Sequence, residues 1–197
     1  MKNQVKRETI QTHVMTIAHG QSELAICKHI SSNLRIKQPC IARDGGKTSI
    51  QIGGLRNLLD TDRRLANPQS FSREFDDVCM IKGLPNNFRL FPIMDLDDCP
   101  KSMQIAYRTN RLFDGHWLSS VITPIFCAPN LEEVMKRIGI PITRKKEYIQ
   151  IFPTNHGDYL NLETAAEFAH ELGKHDCTNL GVYVNYCIDV CKEQFTR

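Results

Sequence analysis

Phe88-Arg-Leu-Phe-Pro-Ile-Met-Asp-Leu-Asp-Asp98 is a short apolar run that ends in three carboxylates. An apolar run of this length between polar residues predicts a buried strand. Side chains alternate along a strand, so Asp95 and Asp97 are expected to point to the same side. Two such carboxylates repel unless a cation or a proton neutralises one of them, and oxygen ligands suit Mg²⁺ or Mn²⁺. The alternative is an ordinary turn at residues 95–98, with an Asp capping the helix that follows Pro100.

The composition is that of a globular protein with one core. The chain has 197 residues, of which 41% are hydrophobic and 24% are charged. No apolar run reaches membrane-spanning length, and the N-terminus lacks the apolar stretch of a signal peptide. We therefore expect a cytoplasmic location and no membrane partner. The net charge of +3 permits contact with nucleic acid without arguing for it.

The eight cysteines are scattered through apolar segments without the spacing of a disulfide framework. We interpret them as reduced and mostly buried. Five residues near the C-terminus match none of the paired Cys or Cys/His zinc templates, and buried thiols are favoured over zinc there. These residues are His170, His175, Cys177, Cys187 and Cys191.

Upstream of the acidic run, the chain opens like an α/β unit. Residues 13–18 predict a strand, Gly20 a turn, and residues 24–30 a helix. Ser22 or Gln21 could cap this helix. Glu23 would lie in its first turn, where the helix macrodipole favours an anion.

Gly46-Lys47-Thr48 is similar to the end of a phosphate-binding loop, but that pattern requires glycine where the chain has Ile41. Lys47 is still a candidate phosphate contact in a glycine-rich turn before a helix, and a solvated turn is the alternative. Residues 61–87 are too long for a simple connection and predict an insertion with structure of its own. The other predicted elements are strands over 39–42, 118–126 and 148–152, and helices over 49–60, 72–81, 102–112, 130–139, 161–172 and 180–195.

Alternating strands and helices predict an α/β fold with a mostly parallel central sheet, helices on both faces and further C-terminal helices. Functional residues in such sheets gather at the carboxyl ends of the strands. The residues expected there are His19, Glu23, Asp95, Asp97 and Asp98.

Over roughly residues 14–137, this layout resembles the Toprim domain, the metal-binding α/β module of topoisomerases, primases and the OLD-type and related nucleases of phage defence. The first family motif, Glu-Gly-x-x-Asp/Glu, corresponds to His19-Gly20-Gln21-Ser22-Glu23. Gly20 and Glu23 match, and His19 replaces the leading glutamate. Asp95 and Asp97 match the family's Asp-x-Asp. Residues 128–132, Ala-Pro-Asn-Leu-Glu, are faintly similar to an Asn-Pro-x-x-Glu turn of some defence-associated relatives.

The resemblance implies a Mg²⁺- or Mn²⁺-dependent phosphoryl-transfer enzyme, with a nuclease as the first candidate. His19 and Glu23 would be catalytic, and Glu23, Asp95 and Asp97 would bind the metal. Asp98 and Glu132 are candidates for a third acid, and Lys47 and Lys145 for phosphate binding. Because the leading glutamate is missing, the alternative is a non-catalytic Toprim-like subunit that binds nucleic acid or a co-encoded protein.

The implied organisation has three parts. They are an N-terminal tail (1–12), a Toprim-like core (13–140) with an insertion at about 61–87, and a mainly helical C-terminal extension (141–197) packed on the core.

Overall fold

Four parallel strands form the central sheet of the computed structural model, which describes residues 11–140 and 161–195. Numbered in chain order, they are β1 (Val14–Ala18), β2 (Cys40–Ile41), β5 (Arg89–Asp95) and β6 (Ile125–Cys127). Their spatial order is β2-β1-β5-β6, and every neighbouring pair is parallel. The predicted α/β class with a parallel sheet is therefore confirmed.

Helices cover both faces of this sheet, because successive side chains of the central strands point to opposite sides. On one face, Val14, Phe91 and Ile93 pack against four helices. On the other face, Met15, Ile17 and their neighbours pack against three helices. The first group is α1 (Gln21–Asn33), α5 (Leu131–Arg137), α6 (Leu162–Gly173) and α7 (Leu180–Phe195); the second is α2 (Ile52–Thr61), α3 (Pro68–Glu74) and α4 (Lys101–Arg108).

A proline lies inside the central strand β5, where a missing N–H would normally break the ladder. The hydroxyl of Tyr107 lies 2.8 Å from the carbonyl oxygens of both Pro92 and Ile125. A buried hydroxyl from α4 thus lies between β5 and β6 beside Pro92, and its one proton can be donated to either carbonyl.

The outer edge of β6 is covered by the segment that precedes α7. The Asn179 side chain accepts a hydrogen bond from the Phe126 N–H (2.8 Å) and donates to the Pro124 carbonyl (2.9 Å). The Thr178 hydroxyl donates to the Phe126 carbonyl at 2.7 Å. These contacts attach the C-terminal helices to the sheet and satisfy backbone groups of an edge strand.

The predicted helix over 72–81 is wrong. Asn67 caps an earlier helix, α3, by accepting a hydrogen bond from the Ser70 N–H, and Pro68 occupies its first position. The chain then forms a short antiparallel hairpin of β3 (Met80–Ile81) and β4 (Leu84–Pro85). Lys82 and Gly83, between these strands, both have positive φ, as a tight hairpin turn requires.

Two other elements are shorter than predicted. The helix expected over 102–112 ends at Arg108, and Asn110 takes the left-handed conformation before a 3-10 turn. The strand expected over 118–126 is a 3-10 turn, Ser119–Val121, followed by the three residues of β6. Pro124 interrupts regular pairing between them because it has no N–H to donate.

The predicted C-terminal helices are present as α6, capped by Asn161, and α7. The strand expected over 148–152 and the basic residue Lys145 lie outside the described residues. All eight cysteines are free thiols, and four of them are buried. Within the described part of the chain, no helix combines the length and the apolar character needed to cross a membrane.

Candidate functional site

The sheet changes its direction of winding between its two central strands. From β1 the chain passes through α1 to β2 on one side, and from β5 it passes through α4 to β6 on the other. Ligand sites of open α/β sheets form in the crevice outside such a switch point. His19 follows β1, and its N–H continues the ladder by donating to the Ile93 carbonyl at 3.0 Å. Asp95 ends β5, so these two residues lie at the switch point.

The imidazole of His19 is held between a backbone carbonyl and two carboxylates. Nδ1 lies 3.0 Å from the Ile50 carbonyl oxygen, and the Ile50 N–H donates back to the His19 carbonyl at 2.8 Å. Nε2 lies 4.0 Å from Asp95 Oδ2, and Nδ1 lies 3.9 Å from Asp98 Oδ2. When Nδ1 donates its proton to Ile50, Nε2 is left facing Asp95 as the free ring nitrogen.

Glu23 lies in the first turn of α1 and is almost fully buried. Its Oε2 accepts a hydrogen bond from the N–H of Gly20, the residue before the helix, at 2.8 Å. Its Oε1 is buried and has no hydrogen-bond partner among the described residues. Burial raises the pKa of Glu23, and the charge of Glu132 adds to this effect, while His19 opposes it. Glu23 is therefore an acid with an unused acceptor inside the site.

The expectation that Ser22 or Gln21 caps α1 is wrong. Gly20 is the N-cap residue and has no side chain to cap the helix, whereas Glu23 of the first turn bonds back to the Gly20 N–H. Ser22 instead lies inside the first turn and donates its hydroxyl to Glu132 Oε1 at 3.0 Å. This hydrogen bond joins α1 to α5 across the site.

Asp95 meets the start of α5, where its Oδ1 accepts a hydrogen bond from the Leu131 N–H at 3.0 Å. Burial, followed by the negative charges of Glu23 and Glu132, raises the pKa of Asp95 to about 8. The side chain is thus an acid that its surroundings keep protonated near neutral pH.

Asp97 is not on the strand, contrary to the expected alternation with Asp95. β5 ends at Asp95, and Asp97 is an exposed residue of the following turn that accepts a hydrogen bond from Asn130 Nδ2 at 3.2 Å. The alternative prediction, a turn at residues 95–98, is closer to the structure. Its second part is wrong, because no Asp caps α4, whose N-cap residue is Pro100.

Asp98, in the same turn, faces inward. Both of its carboxylate oxygens are buried without a hydrogen-bond partner among the described residues. Burial raises the pKa of Asp98, and the nearby imidazole of His19 opposes that rise. Asp98 thus belongs to the site and lies nearest Nδ1 of His19, whereas Asp95 lies near Nε2.

The basic candidates are less closely tied to these acids. Lys47 is exposed at the end of a 3-10 turn, Arg43–Gly46, and this turn packs against the start of α1. No ion pair joins Lys47 to another described residue. Lys145 lies outside the described residues.

The structure brings together His19, Glu23, Asp95, Asp98 and Glu132, with Asp97 at the rim. No group of three or more His, Cys, Asp or Glu side chains in residues 11–140 and 161–195 is already arranged to hold a metal ion. The donors nevertheless fit a hard divalent cation, because they are carboxylate oxygens with an excess of negative charge and include the unpartnered Glu23 Oε1.

Sequence reasoning missed the second roles of Ser22 and Asn130. The helix-capping role of Asn130 was readable, because Asn before an acidic helix start is a common cap. Its donation to Asp97 and the contact of Ser22 with Glu132 join residues 33 and 110 positions apart. No local sequence pattern encodes such contacts.

Comparison of the chain with protein-family models, with curated proteins and with solved structures found no match. The fold and the site define an α/β protein with an acidic cluster at the switch point of a parallel sheet.

Proposed function

We propose that this protein is a Mg²⁺- or Mn²⁺-dependent phosphoryl-transfer enzyme, and specifically a nuclease that cleaves phosphodiester bonds, with a role in phage defence. The observation that carries the proposal is the meeting of Glu23, Asp95 and Glu132 from three separate elements. The neighbouring negative charges help to raise the pKa values of Glu23 and Asp95, and no lysine or arginine of the described residues forms an ion pair with the three acids. Such a cluster is stabilised when a cation neutralises it.

The Toprim-like order of motifs supports the same reading. Glu23, Asp95 and Asp97 would hold the metal, with Glu132 or Asp98 as a further acid. A bound divalent ion supplies charge stabilisation at the phosphate and a lower pKa for an attacking water.

His19 has the geometry of a general base. Ile50 fixes Nδ1, so Nε2 is free to take a proton from water, and Asp98 lies where it stabilises the resulting imidazolium. Lys47 is the described candidate for holding a phosphate, because its turn lies against the start of α1; Lys145 is a second candidate.

Thermal melting with and without Mg²⁺ or Mn²⁺ tests the metal site. A ligand that binds only the native state at about 100 times its Kd stabilises it by about 2.7 kcal/mol, or roughly 5–10 °C for a chain of this size. We expect that shift in the wild type and its loss in Asp95→Asn and Glu23→Gln. Glu163→Gln, at the exposed first turn of α6, is the matched control and should keep it. Equal melting curves with and without metal in the wild type would overturn a metal site that forms without substrate.

Cleavage of end-labelled single- and double-stranded DNA and RNA tests the reaction itself. We expect products with Mn²⁺ or Mg²⁺, none with EDTA, and a loss of at least 100-fold in rate for His19→Gln, because a positioned general base contributes about that much or more. Unchanged cleavage by His19→Gln would remove His19 from the mechanism.

A second candidate is a Toprim-like subunit that binds metal and nucleic acid, or a partner protein, without cleavage. It is favoured by His19 standing where the family has its leading glutamate. A metal-dependent melting shift combined with no cleavage of any of the four substrates would select this candidate.

A further inference from the structure

Ser22 links the two helices that carry Glu23 and Glu132. It lies in the first turn of α1, directly before Glu23, and is 5% exposed. Its hydroxyl donates a hydrogen bond at 3.0 Å to Glu132 Oε1, in the first turn of α5 and 110 positions away. A buried hydroxyl needs a partner, and here that partner is a carboxylate of the acidic cluster. Ser22 therefore contacts the site without being one of its acids.

The carboxylate of Glu132 depends on this hydrogen bond for its orientation. Glu132 is half-buried, and its long side chain has rotational freedom that must be lost before it can bind a ligand in one place. Among residues 11–140 and 161–195, Ser22 is the only hydrogen-bond donor to this carboxylate. Ser22 is thus the contact that selects one arrangement of the Glu132 side chain.

The selected arrangement places Glu132 beside the other acids. The Leu131 N–H, one residue before Glu132, donates to Asp95 Oδ1 at 3.0 Å, so the start of α5 is joined to the end of β5. The hydrogen bond from Ser22 joins the same turn to α1, next to Glu23. The negative charge of Glu132 helps to raise the pKa values of both Glu23 and Asp95, which agrees with this placement. Two hydrogen bonds therefore bring the three acids together from three elements.

Asp98, the other candidate for a further acid, has no hydrogen bond of this kind. Both of its carboxylate oxygens are buried without a partner among the described residues, and it lies nearest Nδ1 of His19. Carboxylates that bind a metal are usually held by outer hydrogen-bond partners, and loss of such a partner weakens metal binding by about 10- to 100-fold. Of the two candidates, Glu132 is the one that has this partner.

We propose that Ser22 is a positioning residue, which holds the Glu132 carboxylate at the metal site so that Glu132 is the further acid beside Glu23 and Asp95. The inference rests on the proposed metal-dependent function, because the orientation of an acid affects metal binding only where a cation binds. Ser22 acts through the Glu132 carboxylate and is not itself a ligand.

Binding of Mn²⁺ to the full chain, followed by the loss of the EPR signal of the free ion, tests the proposal. We expect Ser22→Ala to raise the Kd for Mn²⁺ by about tenfold or more, as for other lost outer partners of metal ligands. Ser31→Ala is the matched control and should leave the Kd unchanged. Ser31 lies at the other end of α1 and donates its hydroxyl to the Ile36 carbonyl at 3.0 Å, so this variant also loses one serine hydrogen bond.

Two further variants separate a positioning role from a structural one. Ser22→Thr keeps the hydroxyl and should restore most of the affinity for Mn²⁺. Glu132→Ala should weaken binding at least as much as Ser22→Ala does. Adding Ser22→Ala to Glu132→Ala should change the Kd no further, because two residues that act through one contact are not additive.

Three results would overturn the role of Ser22 while leaving the metal site in place. They are a wild-type Kd in Ser22→Ala, a further loss of affinity when Ser22→Ala is added to Glu132→Ala, and a loss of affinity in Asp98→Asn but not in Glu132→Ala. The last result is read without any change at Ser22, so the proposal can fail on it alone. Wild-type protein that binds no Mn²⁺ would overturn the proposed metal site itself, and the role of Ser22 with it.

Discussion

At Asp95, burial and two neighbouring carboxylates act in the same direction. Burial makes the largest contribution to the raised pKa, because it disfavours the charged form, and the negative charges of Glu23 and Glu132 raise the pKa further. The hydrogen bond from the Leu131 N–H lowers it. An aspartate whose pKa is about 8 in the folded protein, against an ordinary value of 3.8, makes the stability of the fold depend on pH.

We expect stability to fall as the pH rises from about 4 towards 8 in the absence of metal. The folded state keeps a proton on Asp95 that the unfolded chain releases near pH 4, so the stabilisation is complete below that pH and is lost through pH 8. Asn imitates the protonated carboxyl. Asp95→Asn should therefore have a shallower slope and exceed the wild type by roughly 2 kcal/mol or more at pH 8.

Urea unfolding of both proteins in EDTA at pH 5 and pH 8 measures this difference. Glu23 also has a raised pKa and contributes in the same direction, so the comparison is between the two slopes. Parallel pH profiles for wild type and variant would show that Asp95 is ionised in the fold.

Sequence reasoning at the residue scale placed Glu23 in the first turn of the helix after the first strand and Asp95 at the end of the acidic strand, and the structure has both there. It failed for Asp97, since the alternation rule holds only while the strand continues, and β5 ends two residues earlier. The roles of Ser22 and Ile50 depend on tertiary contacts that no local pattern contains.

At the scale of elements, the turn before α2 is fitted closely to the start of α1. Gly46 has φ of +85°, and a Cβ there would lie 2.9 Å from Gln21 Cα. We expect Gly46→Ala to reduce the free energy of unfolding by about 2–4 kcal/mol, from the positive φ and the clash with backbone together. Gly45→Ala is the matched control, because it has a similar φ of +64° but nothing within 4 Å, and about 1 kcal/mol is expected. Equal losses in urea unfolding would mean that the turn is free to move.

Asn130 joins the start of α5 to the acidic turn. Its Oδ1 accepts from the Glu133 N–H at 3.0 Å while its Nδ2 donates to Asp97. Asn130→Ala should cost about 1 kcal/mol, the usual value of an N-cap. Asn67→Ala removes the equivalent cap of α3 and should cost the same.

Only Asn130→Ala should also reduce the melting shift produced by Mn²⁺, because it alone removes the hydrogen-bond donor that holds the Asp97 carboxylate in place at the site. Thermal melting of both variants with and without Mn²⁺ gives the comparison. An undiminished shift in Asn130→Ala would place Asp97 outside the metal site.

Elements with strong caps were predicted well. Asn130 and Asn161 fix the starts of α5 and α6, and the long apolar pattern of α7 needs no further signal. The hairpin of β3 and β4 was not predicted, because each of its strands has only two residues. That is too short to show the alternation of apolar and polar residues that indicates a strand.

At the scale of the whole molecule, the C-terminal helices complete one face of the sheet. Residues of α6 and α7 belong to the same buried cluster as the central strands. Asn179 is the side chain that attaches this layer to the edge strand, through the Phe126 N–H and the Pro124 carbonyl.

Asn179→Ala should destabilise the protein by about 2–3 kcal/mol, because it leaves two backbone groups near the core without partners. Asn57→Ala, on the exposed side of α2, should change stability by no more than about 0.5 kcal/mol. Chemical denaturation followed by tyrosine and tryptophan fluorescence measures both, and similar values for the two variants would indicate that the edge of β6 is solvated.

The strand order also sets how the chain has to fold. β1 and β5 are neighbours, yet β2, α2, α3 and the hairpin lie between them in the chain, and the side chain of His13 bonds a carbonyl 74 positions away. The Gln38 contact with Tyr183 spans 145 positions. Contacts this distant require large loops to close before they contribute stabilising energy, so we expect the protein to fold slowly. During synthesis, β1, α1 and β2 leave the ribosome without the strand that completes the sheet's centre, and their apolar surfaces need protection until β5 follows.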